Sequence, residues 1–453
     1  MNKLYFIANK IGVDKSIAYS SCARVIQGLS GVVSMFFIST FLSGIEQGFY
    51  FTFGSIVALQ VFFELGLTGI MTQYVAHEAS HLTLSPCWEY SGEFLYKSRL
   101  ASLTRLCLKW YTILGVTVFV FLLFIGIIYF NKYANSTNYV SWKIPWIIVC
   151  IATSLQLFIA PFTSILTGLG FVKETSKISF FQQLFVPASI WVSLCLGLKL
   201  YVIGIGYLLS VFIWLFGVYY MRLYLVIVNL LRVNITCKVN YIKEIFPYQW
   251  KIALSWISGY FTFQLFNPVL FATEGAIVAG QMGMTLQALN AISSLSMSWL
   301  NTKIPLYSRL ISLKEYFHLD SIFNKTLKQM NVVCAVLLVL FLLFVILLRL
   351  FAIRISGSLL ADRFLDICPL ILLMLTVYCN QYINSWATYL RCHKKEPFLI
   401  NSVVVGLLSL VSTFYFGHNY GLYGVVIGYC VIKMASLPWG YSIFKNKKYE
   451  WHK

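Results

Sequence analysis

Few side chains in this sequence could do chemistry in an apolar medium, and they are far apart. Arg24, Glu64 and Lys433 all stand inside long apolar stretches. A charge at the centre of a bilayer costs about 2.5–3.5 kcal/mol on insertion scales, so residues of this kind need either a partner or a task. Ser20, Arg24, Gln27, Gly31 and Ser34 follow i, i+4, i+7, i+11 and i+14 spacing. That spacing lays one polar stripe along a helix, with Arg24 roughly 12 Å deep at 1.5 Å per residue. Glu64, with Gln60 one turn before it, falls at similar depth in the next apolar stretch, so an Arg24–Glu64 pair is geometrically open. Guanidinium matches phosphate oxygens bidentately, and the stripe therefore suits an anionic headgroup. Glu64 would hold Arg24 while that site is empty, or exchange a proton. A purely structural ion pair, or an Arg24 that snorkels to the nearer interface, accounts for the same residues.

Lys433 is about eleven residues from Phe444, too far to reach the interface with ease. Either its helix ends early at Pro438 and the lysine snorkels, or it faces a wet cavity. Around these charges lie Gln264 and Asn267, Gln287 and Asn290, and Asn380 and Asn384, each pair at i,i+3 or i,i+4 spacing and so on one helix face. One such pair is explained by hydrogen bonds between helices. Three pairs at similar depth point to an aqueous lumen. Pro268, beside Asn267, predicts a kink there. The six histidines lie at the ends of apolar stretches or in loops, with no HExxH pattern, and GxxxxGK[ST] is absent. No enzyme chemistry and no cofactor are expected. Energy for any vectorial work would come from a partner, from a proton or sodium gradient, or from the substrate's own gradient.

The elements that must carry these residues follow from composition. The 453-residue chain is 59% hydrophobic and 11% charged, with a mean hydropathy of +0.78. Soluble domains carry roughly 25% charged residues, so an ordinary cytosolic enzyme is excluded. The net charge of +19 would suggest nucleic acid in a soluble protein, but recurrent apolar runs override that reading. Twelve spans are expected, at 17–42, 48–74, 110–130, 144–168, 178–198, 200–221, 251–273, 275–300, 331–353, 367–390, 398–417 and 420–444. They are continuous apolar runs, so the fold class is all-α polytopic and not a barrel. With the N-terminus inside, most Lys and Arg fall in inside segments. The outside segments hold only Lys132, Lys143, Lys199, Arg349, Arg354 and Arg363. This bias places both ends in the cytoplasm.

The outer loops are short, and the inner loops 75–109, 222–250 and 301–330 are longer. The central loop divides the chain into an N-terminal lobe (1–221, spans 1–6), a cytoplasmic linker (222–250) and a C-terminal lobe (251–453, spans 7–12). A weak internal echo supports two lobes. Glu46-Gln47-Gly48 leads into Ala58-Leu59-Gln60, and Glu274-Gly275 leads into Thr285-Leu286-Gln287. Transporters are commonly built from such repeats with the substrate between them. The eleven cysteines are scattered singly, with no CxxC pair, and read as small hydrophobes.

Three stretches carry a resemblance: Gly48–Glu78 (GFYFTFGSIVALQVFFELGLTGIMTQYVAHE), Ser98–Tyr111 (SRLASLTRLCLKWY) and Glu274–Pro305 (EGAIVAGQMGMTLQALNAISSLSMSWLNTKIP). Through them the chain resembles bacterial polysaccharide transporters, and more narrowly the O-antigen or capsule repeat-unit flippases of Wzx type. These belong to the multidrug/oligosaccharidyl-lipid/polysaccharide (MOP) exporter superfamily, which also holds the MATE transporters. The resemblance implies two six-helix lobes around a central cavity in the bacterial inner membrane. It implies alternating access and export of undecaprenyl-pyrophosphate-linked oligosaccharide, with a cationic site falling on Arg24 and Lys433. Expected partners are that lipid-linked oligosaccharide, membrane lipid, and the polymerase and chain-length regulator of the same glycan pathway, with no nucleic acid. The alternative is an ion-coupled multidrug or cation antiporter of the same superfamily, which would favour an acidic cavity. A membrane polymerase would need a large outer loop that the chain lacks, and a scaffold of a glycan-assembly complex would tolerate loss of Arg24.

Overall fold

Inside a bilayer every backbone N–H and C=O must be paired within its own segment, which leaves helices as the solution for apolar runs of this length. The computed structural model describes residues 15–86, 88–134, 140–355, 358–393 and 395–452 and is almost wholly helical. Seven of the described helices are long and apolar enough to cross a membrane, or eight with the bent pair Gly44–Glu64 and Leu67–Ala79 taken as one span. Spans 1, 7 and 8 of the sequence correspond to the helix Lys15–Phe41, the broken pair Phe246–Phe263 and Phe266–Thr273, and the helix Ala276–Asn301.

Spans 11 and 12 lie together in the 53-residue helical stretch Leu399–Trp451. At 1.5 Å per residue this would be about 80 Å, far more than the roughly 30 Å hydrocarbon layer. The chain turns at Gly421, whose φ of 55° and ψ of −138° are not helical. Beyond it, a methyl group on Gly424 would meet the Phe416 carbonyl oxygen, and one on Gly428 the Ser412 hydroxyl, at 2.3 and 2.1 Å. The two limbs are therefore an antiparallel hairpin. Glu274 completes the turn, its Oε1 accepting from the Leu422 N–H at 2.8 Å.

Two compact units are present, and they do not follow chain order. The first comprises the chain up to Ser30 with Leu59–Asn131 and Ser141–Ala253; the second is chiefly Gly31–Ala58 with the chain from Leu254 onward. Lobes drawn by chain order and units drawn by packing differ chiefly in the segment Gly31–Ala58.

In the first unit the segments between spans are more ordered than their polarity suggests. Span 3 is part of a 40-residue helix, Phe94–Tyr133, whose N-terminal extension buries Leu100, Leu103, Cys107 and Tyr111 on one face. That extension holds the 222–250 segment. Ser98 Oγ accepts from the Thr236 and Cys237 N–H groups, both at 2.9 Å, and Arg105 donates to the Leu231 and Val233 carbonyls. Arg99 bridges Glu78 (2.9 Å) and Glu244 (2.6 Å). The linker is thus part of this unit's packing. Span 2 is not a straight helix. It tightens at Ala58–Gln60 and breaks at Leu65 and Gly66, both left-handed (φ 52° and 68°).

In the second unit the helix Gly44–Val57 packs on Ala276–Asn301 through small residues at four-residue spacing, Gly44 and Gly48 against Ala276 and Gly280. Small-xxx-small faces let backbones approach closely where lipid offers no hydrophobic drive. Gln47 bolts this contact, donating to the Gly280 carbonyl at 2.8 Å and the Arg363 carbonyl at 3.1 Å. These are the two helices that carry the internal sequence echo. Farther along, Tyr307, Phe323, Tyr389 and Phe444 build an aromatic core. Five cysteines sit as small hydrophobes, Cys107, Cys150, Cys334, Cys379 and Cys430 being buried free thiols, whereas Cys195 and Cys368 are exposed.

Candidate functional site

The seventh span breaks where its proline requires. Pro268 has no N–H, and its ring clashes with the carbonyl four residues back, which is Gln264. The helix duly stops at Phe263 and restarts at Phe266. Irregular backbone at membrane depth is tolerated where it lines a cavity, and discontinuous helices recur at transporter binding sites. Here the residues on either side of the break, Phe263 and Phe266, both line a cavity of about 200 Å³ inside the second unit.

The other walls come from three helices, each offering one face. Ala276–Asn301 contributes Leu286, Leu289, Asn290 and Ser293; Ile367–Arg391 contributes Leu373, Thr376, Val377, Asn380 and Asn384; the last limb contributes Tyr429. Within each long helix these positions recur at three- and four-residue steps, as a single helical stripe must. Gln381 locks the two long helices by donating to the Ser293 carbonyl (3.2 Å) and hydroxyl (3.0 Å). Tyr429 stands edge-on to Phe266, with centroids 4.9 Å apart, and its hydroxyl is 3.4 Å from Asn380 Nδ2.

Lys433 lies one turn beyond Tyr429 on the same face. It is 6% exposed, and its Nζ sits over the rings of Phe263 and Tyr429, 5.4 and 5.5 Å from their centroids. No carboxylate or other acceptor engages this ammonium among the described residues. Ring faces favour a cation, by about 0.5–2 kcal/mol according to exposure. They offer no hydrogen-bond acceptor of the strength an ammonium finds in a carboxylate or phosphate. The site is therefore a mouth of amides, hydroxyls and aromatic walls with a positive charge at one side. Its volume is below the roughly 300–1,000 Å³ that encloses a drug-sized ligand, so it fits one polar group of a larger molecule.

Of the residues the sequence singles out, Asn290, Asn380 and Asn384 share this cavity and Lys433 flanks it. Gln264 is exposed at the helix break. Asn267 and Gln287 act as bolts between helices: Asn267 Nδ2 donates to Ser55 Oγ at 3.1 Å, and Gln287 Nε2 to the Gly31 carbonyl at 3.0 Å. Gln27, Gln60 and Glu64 belong to the first unit. Glu64 ends the helical turn before the Leu65–Gly66 break and accepts from Thr68 Oγ1 at 2.6 Å. Gln27 is exposed. The Arg24 side chain, and with it the Arg24–Glu64 pair, lies outside the described residues. Sequence reasoning missed Tyr429, Phe263 and Phe266. The four-residue step from Tyr429 to Lys433 was the available signal for the first.

No family model matches the chain, and no curated protein matches its sequence. Solved structures do match in fold. An outward-facing multidrug resistance MATE transporter of the MOP superfamily has a TM-score of 0.57 at 15% identity, covering 97% of both chains. The lipid II flippase MurJ in an inward closed conformation gives 0.56 at 14% identity, over 94% of this chain and 86% of its own. A MOP superfamily transporter from Pyrococcus furiosus gives 0.53 at 15%, over 95% and 96%. The chain has the all-helical fold that these proteins share.

Proposed function

We propose that this protein is a transporter of the MOP type that carries a lipid-linked, sugar-bearing anion across the bacterial inner membrane, of the kind built by O-antigen or capsule pathways. The observation that carries the reading is the second unit's cavity. Lys433 flanks it as a cation, its polar lining is amide and hydroxyl, and its apolar walls are part aromatic and part aliphatic. Amides and hydroxyls suit sugar hydroxyls, aromatic faces suit pyranose rings, and the ammonium suits a phosphate. A chain with short outer loops has little besides its membrane interior in which to act. Rocking of the lobes would expose this site to either side, while the lipid tail stays in the bilayer. The polymerase and chain-length regulator of the same pathway would act on what it delivers.

The second reading is an ion-coupled multidrug antiporter. The MATE likeness and the intramembrane carboxylate of Glu64 favour it, since a cation-exporting site needs an acidic group. Deleting the gene in its host separates the two. The flippase reading expects surface glycan to vanish while a complete repeat unit accumulates on its polyprenyl carrier. Unchanged glycan with new sensitivity to cationic drugs would replace it with the antiporter.

A further inference from the structure

A larger cavity, of about 830 Å³, opens beside the helix Ile304–Ser312 of the second unit, and shares no lining residue with the Lys433 site. One wall is the nine-residue helix Ile304–Ser312. That helix is strongly two-faced. Tyr307 and Leu310 are 0% and 4% exposed in the aromatic core, while Ser308, Arg309 and Ser312 turn outward and line the cavity. Asn301 adds an amide from the preceding helix, and Arg391 faces across from the end of Ile367–Arg391.

The charges are unequal. Arg391 is already neutralised by Glu396, in a three-contact pairing at 2.7–3.0 Å. Arg309 has no ion pair among the described residues, and no carboxylate occurs in the sequence between Glu274 and Glu315. Lys303 and Lys314 flank the helix. A guanidinium fork, an amide and a hydroxyl around one opening form an array for a tetrahedral oxyanion.

The surroundings identify the source of that oxyanion. Trp299, Leu313 and Phe317, neighbours in sequence of the lining residues, are 46%, 55% and 91% exposed. Large apolar side chains left bare beside lysines, on either side of a short helix lying between two longer ones, mark the level where acyl chains meet headgroups. Basic pockets at that level bind anionic lipid heads. We infer that this cavity is a binding site for the phosphate headgroup of an anionic membrane phospholipid, with Arg309 as its principal ligand. It is separate from the proposed transport cavity, and it stands or falls independently of it.

The full chain, purified in detergent and incubated with phosphatidylglycerol or phosphatidylcholine, would be read by native mass spectrometry for retained lipid. The expected result is preferential retention of phosphatidylglycerol, reduced about tenfold by Arg309→Gln, as loss of one charge-assisted contact implies. Lys314→Gln removes the same charge from the same belt outside the lining and should change retention less than about twofold. Arg309→Lys should recover part of it. Equal loss in Arg309→Gln and Lys314→Gln would reduce the effect to general surface charge and overturn the site. Equal retention of the two lipids would overturn it as well. Displacement of the lipid by millimolar inorganic phosphate would show that a soluble phosphate is the ligand and overturn the lipid assignment.

Discussion

Gly48 and Gly280 touch backbone to backbone: a methyl group on Gly280 would lie 2.8 Å from the Gly48 nitrogen. A methyl group on Gly48 would lie 1.9 Å from the Ala276 carbonyl oxygen. Gln47, next in the chain, donates to the Gly280 carbonyl. The two helices that carry the internal sequence echo are thus joined by a contact with room for hydrogen atoms only.

Gly280→Ala should therefore force these helices apart. Overpacking of a close contact costs about 1–3 kcal/mol, and backbone cannot move aside as a side chain can. The expected outcome is a lower unfolding temperature of the detergent-purified protein. Gly31→Ala is the control, because a methyl group there meets nothing within 4 Å. Equal unfolding temperatures for the two variants would contradict the packing.

Lys433→Gln should remove the charge beside the cavity and lower export by about tenfold or more, the loss expected of a hydrogen bond to a charged group. Immunoblotting would show wild-type amounts in the membrane, because no buried carboxylate among the described residues is left behind. Normal surface glycan in that variant would rule out a role for the lysine in transport.

Asn290→Leu and Gln287→Leu make a paired test on one helix. Asn290 lines the cavity, whereas Gln287 spends its amide on the Gly31 carbonyl. The first should depress transport with little change in thermal stability. The second should lower stability by about 0.5–1.5 kcal/mol, the net worth of one hydrogen bond between helices. Reversal of that pattern in transport and melting assays would exchange the two roles.

The contact between His393 and His452 should loosen in acid. His393 Nε2 and His452 Nε2 are 3.2 Å apart, a distance that accommodates one proton between the rings and resists two. Burial is the main force holding both imidazoles below their ordinary value of 6.5; Lys395 adds to it at His393, and His393 and Lys448 at His452, while Asp320 opposes it at both. A depressed folded-state value means the unfolded state binds more protons near and below 6.5. The contact's stability is then complete above about 6.5 and declines as pH falls further. Hydrogen exchange at 445–452, corrected for intrinsic rates, should accelerate between pH 7.5 and 5.5, and His393→Gln should flatten that response. An unaltered response in the variant would place the titrating group elsewhere.

Arg99 should be the costliest single loss in the first unit's loops. Glu78 is 4% exposed and Glu244 32%, and Arg99 serves both. Arg99→Met would leave Glu78 buried without its cation. We expect about 3 kcal/mol lost at Glu78 and a smaller share at the solvent-screened Glu244. Denaturant unfolding followed at the tryptophans would measure it, with Glu244→Gln as the milder comparison.

Much of this was legible in the residues. Apolar run length and the distribution of Lys and Arg set helices, spans and fold class, because the cost of exposing backbone or charge to hydrocarbon depends on composition alone. Pro268 announced the break in span 7, since its missing N–H is a local property. The spacing of Asn380 and Asn384 announced a shared face. What the residues could not announce was which polar group meets which. Asn267, Asn290 and Gln287 look alike in sequence, yet only Asn290 lines the cavity, and the other two tie helices more than two hundred residues apart. The packing of Gly31–Ala58 with the later half, and the pairing of Lys433 with Phe263 and Tyr429, are equally non-local. Periodicity tells which way a side chain faces along its own helix; only the tertiary structure decides what stands opposite.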